Sequence, residues 1–423
     1  MNIKVHRGLE QIGGCITEIS TATSRVFIDM GQNLPGNGEA TTSEQDQKMV
    51  ESLFANNQKE HEAVFYTHGH EDHVGLFEYV PLYVPQYMSA GTKELLLIKY
   101  GILKEGTELN LEQVQKDSCA NEILDEAIAK NINADYKINR LSEMKTWSRP
   151  LPGKSPDSIF IGDIKITPFF NCHSIYDSHM FLIEAEGKRV WHTGDYRAHG
   201  YLGKGLFPTL KKYATNIDTL ITEGTMLNRN DECIHEYEVA ERMAGVMKSY
   251  KYVFVLASAT DIERLASIKN ASEKSRKRMY VCSKFLISTM RFFTEHESEL
   301  SHGLFSFSPR MYGRKYLGRM KRRGFVLVAG TSQISQVADI LKELPMDETI
   351  LIYSSWEGYY TIPEQVEVSP GYKNFREFFN NVVDIHTSGH ADKATIQKVI
   401  ETIKPKEVIC IHKEPGAELE FGS

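Results

Sequence analysis

At 423 residues the chain has room for two domains of ordinary size, and its 41% apolar and 25% charged residues are typical of folded globular proteins. No apolar run is long enough to cross a membrane, the N-terminus shows no secretory signal, and the six cysteines form no C-x-x-C pair. The net charge of −7 excludes no class of partner, because an acidic protein still binds nucleic acid through a local basic face. We therefore expect a cytoplasmic protein without a disulfide framework and without a membrane partner.

The first two hundred residues predict mostly short strands, with a polar or metal-binding side chain at one end of each. The first pair reads as a hairpin that ends at Asp29, a helix is predicted at 43–55, and the next strand leads into the sequence THGHEDHVG (67–75). Residues 101–150 are charged, contain a predicted helix around 121–130, and are interpreted as an insertion that caps the site. The predicted strands are 15–20, 25–29, 63–66, 158–161, 163–170, 180–185, 188–192 and 217–222.

From about residue 230, helices and strands alternate, which predicts a parallel sheet covered by helices on both faces. Strand 382–386 then leads to SGHAD (388–392), helix 393–403, strand 407–411 and His412. This last segment resumes the order of strand followed by ligand, so one metal-binding domain is interrupted by an α/β domain. The alternating helices are predicted at 235–250, 261–275, 284–295 and 333–343, and the strands at 252–257, 279–282, 325–329 and 350–353.

THGHEDHVG contains four potential metal ligands within six positions: His68, His70, Asp72 and His73. Imidazoles and a carboxylate suit zinc, and this density of ligands suits two ions better than one. A solvated loop that holds three histidines by chance is the alternative. Four more candidates lie near the ends of later strands. They are His173, Asp195, His390 and His412.

Five elements of the chain resemble, in their order, the motifs of the metallo-β-lactamase superfamily. They are THGHEDHVG, NCHSIYDS, HTGDYR, SGHAD and the final His412. The inserted domain and the SGH element resemble its β-CASP nuclease branch, and ribonuclease J most closely. The resemblance covers nearly the whole chain. It implies an α/β fold, with an αββα metallo-β-lactamase sandwich made of residues 1–226 and 383–423. Residues 227–382 would form the inserted parallel α/β β-CASP domain.

Position by position, the resemblance implies two Zn²⁺ ions, with Mn²⁺ as the alternative in the cell. The first ion would be bound by His68, His70 and His173, the second by Asp72, His73 and His412, and Asp195 would bridge both. Asp29 would orient the ligand loop without touching a metal.

The chemistry that follows is hydrolysis of a phosphodiester by a water activated between two metals. Asp72 would accept a proton or orient the water. His390 would hold a phosphate oxygen or protonate the leaving oxygen, with Glu223 tuning it. A structural histidine at a domain junction is the alternative for His390. The resemblance associates His412 at its position with RNA substrates.

A substrate face is expected on the inserted domain, with RNA held between the two domains. Residues 310–323 (here the basic segment) contain seven basic residues, Arg319 and Arg322 among them, no acidic residue, and Tyr312 and Tyr316. Arg and Lys neutralise phosphates and tyrosines stack on unpaired bases, although a solvated helix face is the alternative. A second basic run is KSRKR (274–278). Further candidates at strand ends, by resemblance to elements that bind a 5′-terminal phosphate, are Ser258, Arg264, Ser332, Ser354 and Ser355.

The chain also departs from ribonuclease J. TSQISQ lacks the Gly-Glu that follows in the family, which puts 5′-phosphate sensing in doubt. Lys413 stands where the family has Gly, and the sequence ends eleven residues after His412, so a homodimer would form without the family's C-terminal domain. We expect a zinc-dependent ribonuclease, endo- or 5′-exonucleolytic, that acts on single-stranded RNA. A DNA nuclease, a small-molecule metallo-hydrolase and an RNA-binding scaffold remain alternatives.

Overall fold

A computed structural model describes residues 1–34, 40–55, 59–117, 121–147, 150, 154–229, 233–297 and 301–419, with the backbone alone at 107–117 and 121–127. The chain divides into two compact units. The first unit comprises 1–196, 205–230 and 391–423, and the second comprises 197–204 and 231–390. Residues 197–204, which the predicted division assigns to the first domain, thus group with the second unit. The domain boundaries themselves stay a prediction.

The described strands are β1 (Asn2–Arg7), β2 (Ile16–Ser20), β3 (Ser24–Ile28), β4 (His61–Phe65), β5 (Gln86–Ser89), β6 (Lys145–Trp147), β7 (Ile159–Ile161), β8 (Ile164–Phe170), β9 (His179–Ala185), β10 (Lys188–His192), β11 (Thr219–Glu223), β12 (Tyr252–Leu256), β13 (Arg278–Val281), β14 (Arg310–Met311), β15 (Phe325–Ala329), β16 (Thr349–Tyr353), β17 (Val382–Asp384) and β18 (Glu407–Ile411).

The described α-helices are α1 (Ser43–Phe54), α2 (Glu71–Val74), α3 (Ala90–Asp117), α4 (Asn121–Glu143), α5 (Leu206–Tyr213), α6 (Glu236–Ser249), α7 (Ile262–Lys274), α8 (Lys284–Glu295), α9 (Leu317–Arg323), α10 (Ile334–Leu341), α11 (Gly358–Thr361), α12 (Pro363–Val368), α13 (Gly371–Glu377) and α14 (Lys393–Ile403). None of them is long and apolar enough to span a bilayer.

The first unit contains two six-stranded mixed sheets, in the orders β1-β2-β3-β4-β5-β6 and β18-β11-β10-β9-β8-β7. Strands buried on both faces explain the nearly continuous apolar runs in the sequence. In β4, Phe65 points into a core shared with Phe181 of the second sheet, whereas Val64 points into a core shared with Val50 of α1 and Leu96 of α3. Alternate side chains thus bind the two sheets together and attach a helical layer to the first.

The helical layer includes the segment that the sequence suggested to be an insertion. The α3–α4 helix pair packs on the first sheet through residues such as Tyr100 and Leu141, and β6 then extends that sheet in parallel with β5. On the outer face of the second sheet, Trp191 and Tyr213 of α5 both pack on Phe169. The layers run helix, sheet, sheet, helix, so the predicted α/β sandwich is confirmed.

The second unit is built on one parallel sheet in the order β14-β13-β15-β12-β16-β17. Its central strands are buried throughout, as expected when helices cover both faces of a sheet. Side-chain N-caps begin two of its helices: the Asp261 carboxylate accepts from the Arg264 amide at 3.1 Å in α7, and the Ser283 hydroxyl accepts from the Leu286 amide at 3.3 Å in α8. The parallel α/β architecture predicted here is also confirmed.

Candidate metal centre

Strand direction explains why residues distant in sequence meet at one edge of the second sheet. β8 and β10 are both antiparallel to β9, and β10, β11 and β18 are mutually parallel, so these four strands share one direction. Their carboxyl ends therefore lie along the same edge. His173 follows β8, Asp195 follows β10, Glu223 ends β11 and His412 follows β18.

The loop after β4 brings the remaining side chains to that edge. Its short helix α2 carries Asp72 and His73, and the Met30 amide fixes it by donating to the His73 carbonyl at 2.8 Å. Gly31 lies so close that a Cβ there would be 1.7 Å from the Asp72 carbonyl oxygen, so the position requires glycine. The His179 amide donates to the Thr67 carbonyl at 2.8 Å, which joins the loop to the second sheet.

Three imidazoles form one converging group. His70 Nδ1 is 3.1 Å from His68 Nε2 and 3.1 Å from His173 Nε2. Nitrogen ligands around a tetrahedral zinc ion would be separated by about 3.3 Å, since each zinc–nitrogen bond is about 2.0–2.1 Å. His68 and His173 are buried and His70 is half-buried. The three nitrogen atoms thus have the spacing of ligands that share a cation.

A second group adjoins the first through Asp195. His412 Nε2 is 3.0 Å from Asp72 Oδ2, and His73 Nε2 is 3.7 Å from the same oxygen. Asp195 Oδ2 lies 3.1 Å from His73 Nε2 and 3.6 Å from His412 Nε2. It also lies 4.0 Å from His68 Nε2 and 3.8 Å from His173 Nε2. One carboxylate oxygen therefore stands between both groups.

Asp29 and Thr67 set the orientation of two of these rings. The Asp29 carboxylate accepts from the Thr67 amide at 2.7 Å, from the Thr67 hydroxyl at 2.8 Å and from His73 Nδ1 at 2.7 Å. Since the Thr67 hydrogen goes to Asp29, its oxygen accepts from His68 Nδ1 at 3.0 Å. Both histidines then carry the proton on Nδ1 and direct the Nε2 lone pair at the site.

Thr225 sets the orientation of the His412 ring, as Asp29 and Thr67 do for His73 and His68. Its hydroxyl donates to Glu223 Oε2 at 2.7 Å and accepts from His412 Nδ1 at 2.7 Å. The other Glu223 oxygen accepts from the Tyr196 amide at 2.8 Å. Glu223 is thus a positioning residue for His412, and its predicted influence on His390 stays a prediction. His412 and Asp29 both have left-handed backbones (φ 53° and 66°), which His and Asp adopt more readily than most residues.

The charges of this site call for a cation. Burial opposes the charged form of His73, yet Asp195 and Asp72 outweigh it and raise the pKa of His73 well above its usual range. Within the described residues, the buried Nε2 atom of His73 makes no hydrogen bond that would hold such a proton. Carboxylates and imidazole nitrogens together form a donor set that suits a divalent metal. All seven side chains predicted as ligands meet here, and the clusters fit a metal-binding site.

The second unit holds the predicted substrate residues at the carboxyl ends of neighbouring strands. Ser258 follows β12, Ser332 follows β15, and Ser354 and Ser355 follow β16, so they share the sheet edge where ligands bind in open α/β folds. Ser258 and Ser332 are exposed and Ser355 is half-buried. Ser354 is buried and donates to the Ile385 carbonyl at 2.8 Å.

Arg264 lies beneath this edge in a buried network of ion pairs. Its guanidinium donates to Glu236 at 2.9 Å and to the Ser354 hydroxyl at 2.7 Å, and all three of its nitrogens have protein acceptors. Arg197 pairs with the same Glu236 at 3.1 Å. Although burial opposes it, the two guanidinium groups lower the pKa of Glu236. The predicted substrate contact of Arg264 would require these bonds to open.

The basic segment presents its charges outward. Leu317 and Met320 of α9 are buried, while Arg319, Arg322 and Arg323 are exposed. Glu343 pairs with Arg314 and lies 3.5 Å from Lys321. In the second basic run, two of the charged side chains have partners in the protein. Lys274 pairs with Glu241, and Lys277 donates to the Met247 carbonyl.

His390 is the last residue of the second unit. Its amide donates to the Ser388 hydroxyl at 3.0 Å, which closes the turn of the SGH element. Ala391, the next residue, begins the last segment of the first unit. The predicted catalytic role of His390 stays a prediction.

Comparisons with known proteins agree with this architecture. Residues 380–422 match a family model described as the Zn-dependent metallo-hydrolase RNA specificity domain. The chain is 24% identical over 450 residues to an RNase J-like protein of Methanocaldococcus jannaschii, which covers 99% of this chain and 94% of the relative. A protein of unknown function from Enterococcus faecalis V583 has a similar structure, with a TM-score of 0.70, 18% identity, and coverage of 99% of this chain and 95% of that one. At that identity the second likeness shows the fold alone.

The class of protein follows from the fold, from the converging His and Asp side chains and from these matches. Together they indicate a metallo-hydrolase with an RNA-specificity segment. The match at 380–422 and the likeness to the RNase J-like protein over 99% of the chain support a β-CASP metallo-β-lactamase protein that is similar to ribonuclease J. The family expected from the sequence motifs is confirmed.

Sequence reasoning missed three residues of this site. Thr67 stands inside the first motif and Thr225 two residues after Glu223, so short-range spacing could have indicated both as orienting groups. Cys15, whose sulfur lies beside His73 and His412, stands near no motif and gave no signal.

Proposed function

We propose that the protein hydrolyses phosphodiester bonds of single-stranded RNA at a centre of two zinc ions. The observation that carries this proposal is that Asp195 Oδ2 stands between two groups of converging ligand atoms, at 3.1–4.0 Å from four imidazole nitrogens. The RNA-specificity match at 380–422 supports RNA in particular, because that segment contains both His390 and His412.

His68, His70 and His173 would hold one ion, and Asp72, His73 and His412 the other, with Asp195 shared. When bound, the two ions supply a water of lowered pKa and positive charge against the phosphate oxygens. The protein's own contribution is orientation. Asp29, Thr67 and Thr225 fix the ring tautomers, so the ligand geometry exists before substrate arrives.

Proton transfer would fall to two residues. Asp72 accepts the proton of the attacking water, or orients it, through its carboxylate. His390 donates a proton to the leaving 3′-oxygen, which otherwise departs as an alkoxide of high pKa. Glu223 acts on catalysis through Thr225 and His412, as a positioning residue.

The second unit would bind the RNA backbone. The exposed Arg319, Arg322 and Arg323 supply charge for phosphates, and Ser258 and Ser332 supply hydroxyl groups at the carboxyl edge of a parallel sheet. Binding through the backbone is largely independent of base sequence, so we expect weak sequence preference.

Time courses on end-labelled oligonucleotides test this function. Purified protein should cleave 5′-phosphate and 5′-triphosphate RNA, with product sizes that separate endo- from exonucleolytic cutting, and it should leave DNA of the same sequence intact. His68→Ala and Asp195→Ala should abolish cleavage and lower bound zinc. His390→Ala should abolish cleavage with zinc retained.

The matched control is His61→Ala, because His61 is exposed at the opposite end of the strand that leads to the metal loop. It should keep both zinc and activity. Equal cleavage of DNA would make the protein a general nuclease, and undiminished zinc in both the His68 and Asp195 variants would refute the metal assignment.

A further inference from the structure

Cys15 lies immediately before β2 and is buried, with 1% of its surface exposed. It is in no disulfide. Its sulfur, a ring nitrogen of His73 and a ring nitrogen of His412 all lie within 4.8 Å of one another. The thiol is therefore part of the same cluster as two of the histidines proposed to bind the second metal.

The backbone holds Cys15 against the metal loop. Its amide donates to the Asp72 carbonyl at 2.9 Å, and its carbonyl accepts from the Gly31 amide at 3.0 Å. Two glycines make this approach possible, since a Cβ would lie 3.1 Å from the Cys15 sulfur at Gly8 and 2.6 Å from the Cys15 amide nitrogen at Gly31. Side chains at these positions would displace Cys15, so its placement is built into the fold.

A second feature of the same cluster points to a ligand. Nε2 of His73 is buried, with the residue 1% exposed, and it makes no hydrogen bond within the described part of the chain. The Asp29 carboxylate occupies the other ring nitrogen at 2.7 Å. Nε2 therefore lies 3.1 Å from the Asp195 carboxylate oxygen, and a cation in this cluster would be bound by both groups.

We propose that Cys15 is a further ligand of the metal subsite formed by Asp72, His73 and His412, and that its sulfur makes this subsite select zinc over manganese. This inference rests on the metal-dependent function proposed above. Thiolate is a soft donor that suits zinc, whereas Mn²⁺ favours carboxylates, carbonyls and water. The other subsite has three imidazoles and the shared carboxylate, and no cysteine belongs to it among the residues that the structure describes.

Zinc K-edge X-ray absorption of the full chain tests this directly. The zinc-loaded protein should show a zinc–sulfur shell at about 2.3 Å beside nitrogen and oxygen at about 2.0–2.2 Å. Cys15→Ser and Cys15→Ala should both lose the sulfur shell, and in chelator competition they should lower the preference for Zn²⁺ over Mn²⁺ by at least about tenfold. Equal unfolding midpoints of the metal-free variants and the metal-free parent would show that folding is intact.

Cys172→Ser is the matched control, because Cys172 precedes the ligand His173 but its sulfur belongs to no described ligand cluster. It should keep the sulfur shell. Zinc bound by nitrogen and oxygen alone would overturn the role of Cys15 and leave the proposed function standing. A parent protein that binds no zinc at all would overturn both.

Discussion

The Asp29 carboxylate offers a sharp test of how the metal ligands are oriented. In Asp29→Asn the left-handed backbone is retained, since asparagine tolerates the φ of 66° found there. The amide cannot replace the carboxylate. If its NH₂ group faces His73 Nδ1, the ring proton moves to Nε2. That nitrogen then has no lone pair with which to bind a metal. If the amide turns over, NH₂ faces the Thr67 amide hydrogen, which removes the 2.7 Å bond between Thr67 and Asp29.

The expected magnitude follows from the kind of contact removed. Loss of a group that orients a metal ligand typically weakens metal binding by about 10–100-fold, which corresponds to about 1.4–2.7 kcal/mol. We expect that loss for one ion and a much smaller change for the other, because Asp29 contacts His73 but reaches His68 only through Thr67. Competition with a chromophoric chelator, read as two binding steps, measures both affinities.

Asp163→Asn controls for the loss of a charge, because Asp163 is exposed and accepts from Thr21 at 2.8 Å in a turn. It should leave both affinities unchanged. Asp29→Asn with two unaltered metal affinities would refute the tautomer argument, and so would an equal loss at both sites.

Two further predictions concern the second unit. Replacing Arg319, Lys321, Arg322 and Arg323 by glutamine should weaken RNA binding and reduce the slope of log affinity against log salt by about 0.7 for each lost phosphate contact. The matched pair Lys274→Gln and Arg278→Gln in the other basic run should change the slope little, and equal slopes in all variants would exclude the basic segment from binding. Arg264→Met should cost about 3–5 kcal/mol in urea unfolding, because it leaves Glu236 buried with one cation fewer. The exposed Arg319→Met should cost little. An Arg264 variant of normal stability that binds 5′-phosphorylated RNA poorly would instead support the substrate contact expected from the sequence.

Local patterns predicted most of the strands and helices. Helix 393–403 and strands 325–329 and 407–411 have the predicted bounds, since each combines a clear apolar period with a distinct start or end. The edge strands β1 and β6 were missed, because such strands are fixed by pairing with neighbours rather than by their own composition. Residues 101–150, interpreted as an insertion, begin inside α3, which starts at Ala90 and packs on the first sheet.

The candidate site likewise contains residues that the sequence could indicate and contacts that it could not. The seven ligand candidates could be found because each belongs to a short motif that follows a strand. The orienting contacts could not, because Asp29 to His73 and Thr225 to His412 are non-local pairs that only the folded chain brings within 2.7 Å. Burial of Arg264 was equally hidden, since a charged residue in the first turn of a helix has the same sequence pattern whether it faces solvent or an ion-pair network.

The position of β18 has a consequence for a chain still under synthesis. The imidazoles of His68, His70 and His173 are all present once residue 173 has left the ribosome, but His412 follows only after residues 174–412 have been added. Until then β11 lacks the partner with which Thr219 to Glu223 pair, and the edge of the sheet stays open. Of the two metal subsites proposed above, the one that includes His412 is therefore completed last. A product terminated before residue 412 lacks one of the seven candidate ligands, so translation errors do not release a fragment with the complete candidate site.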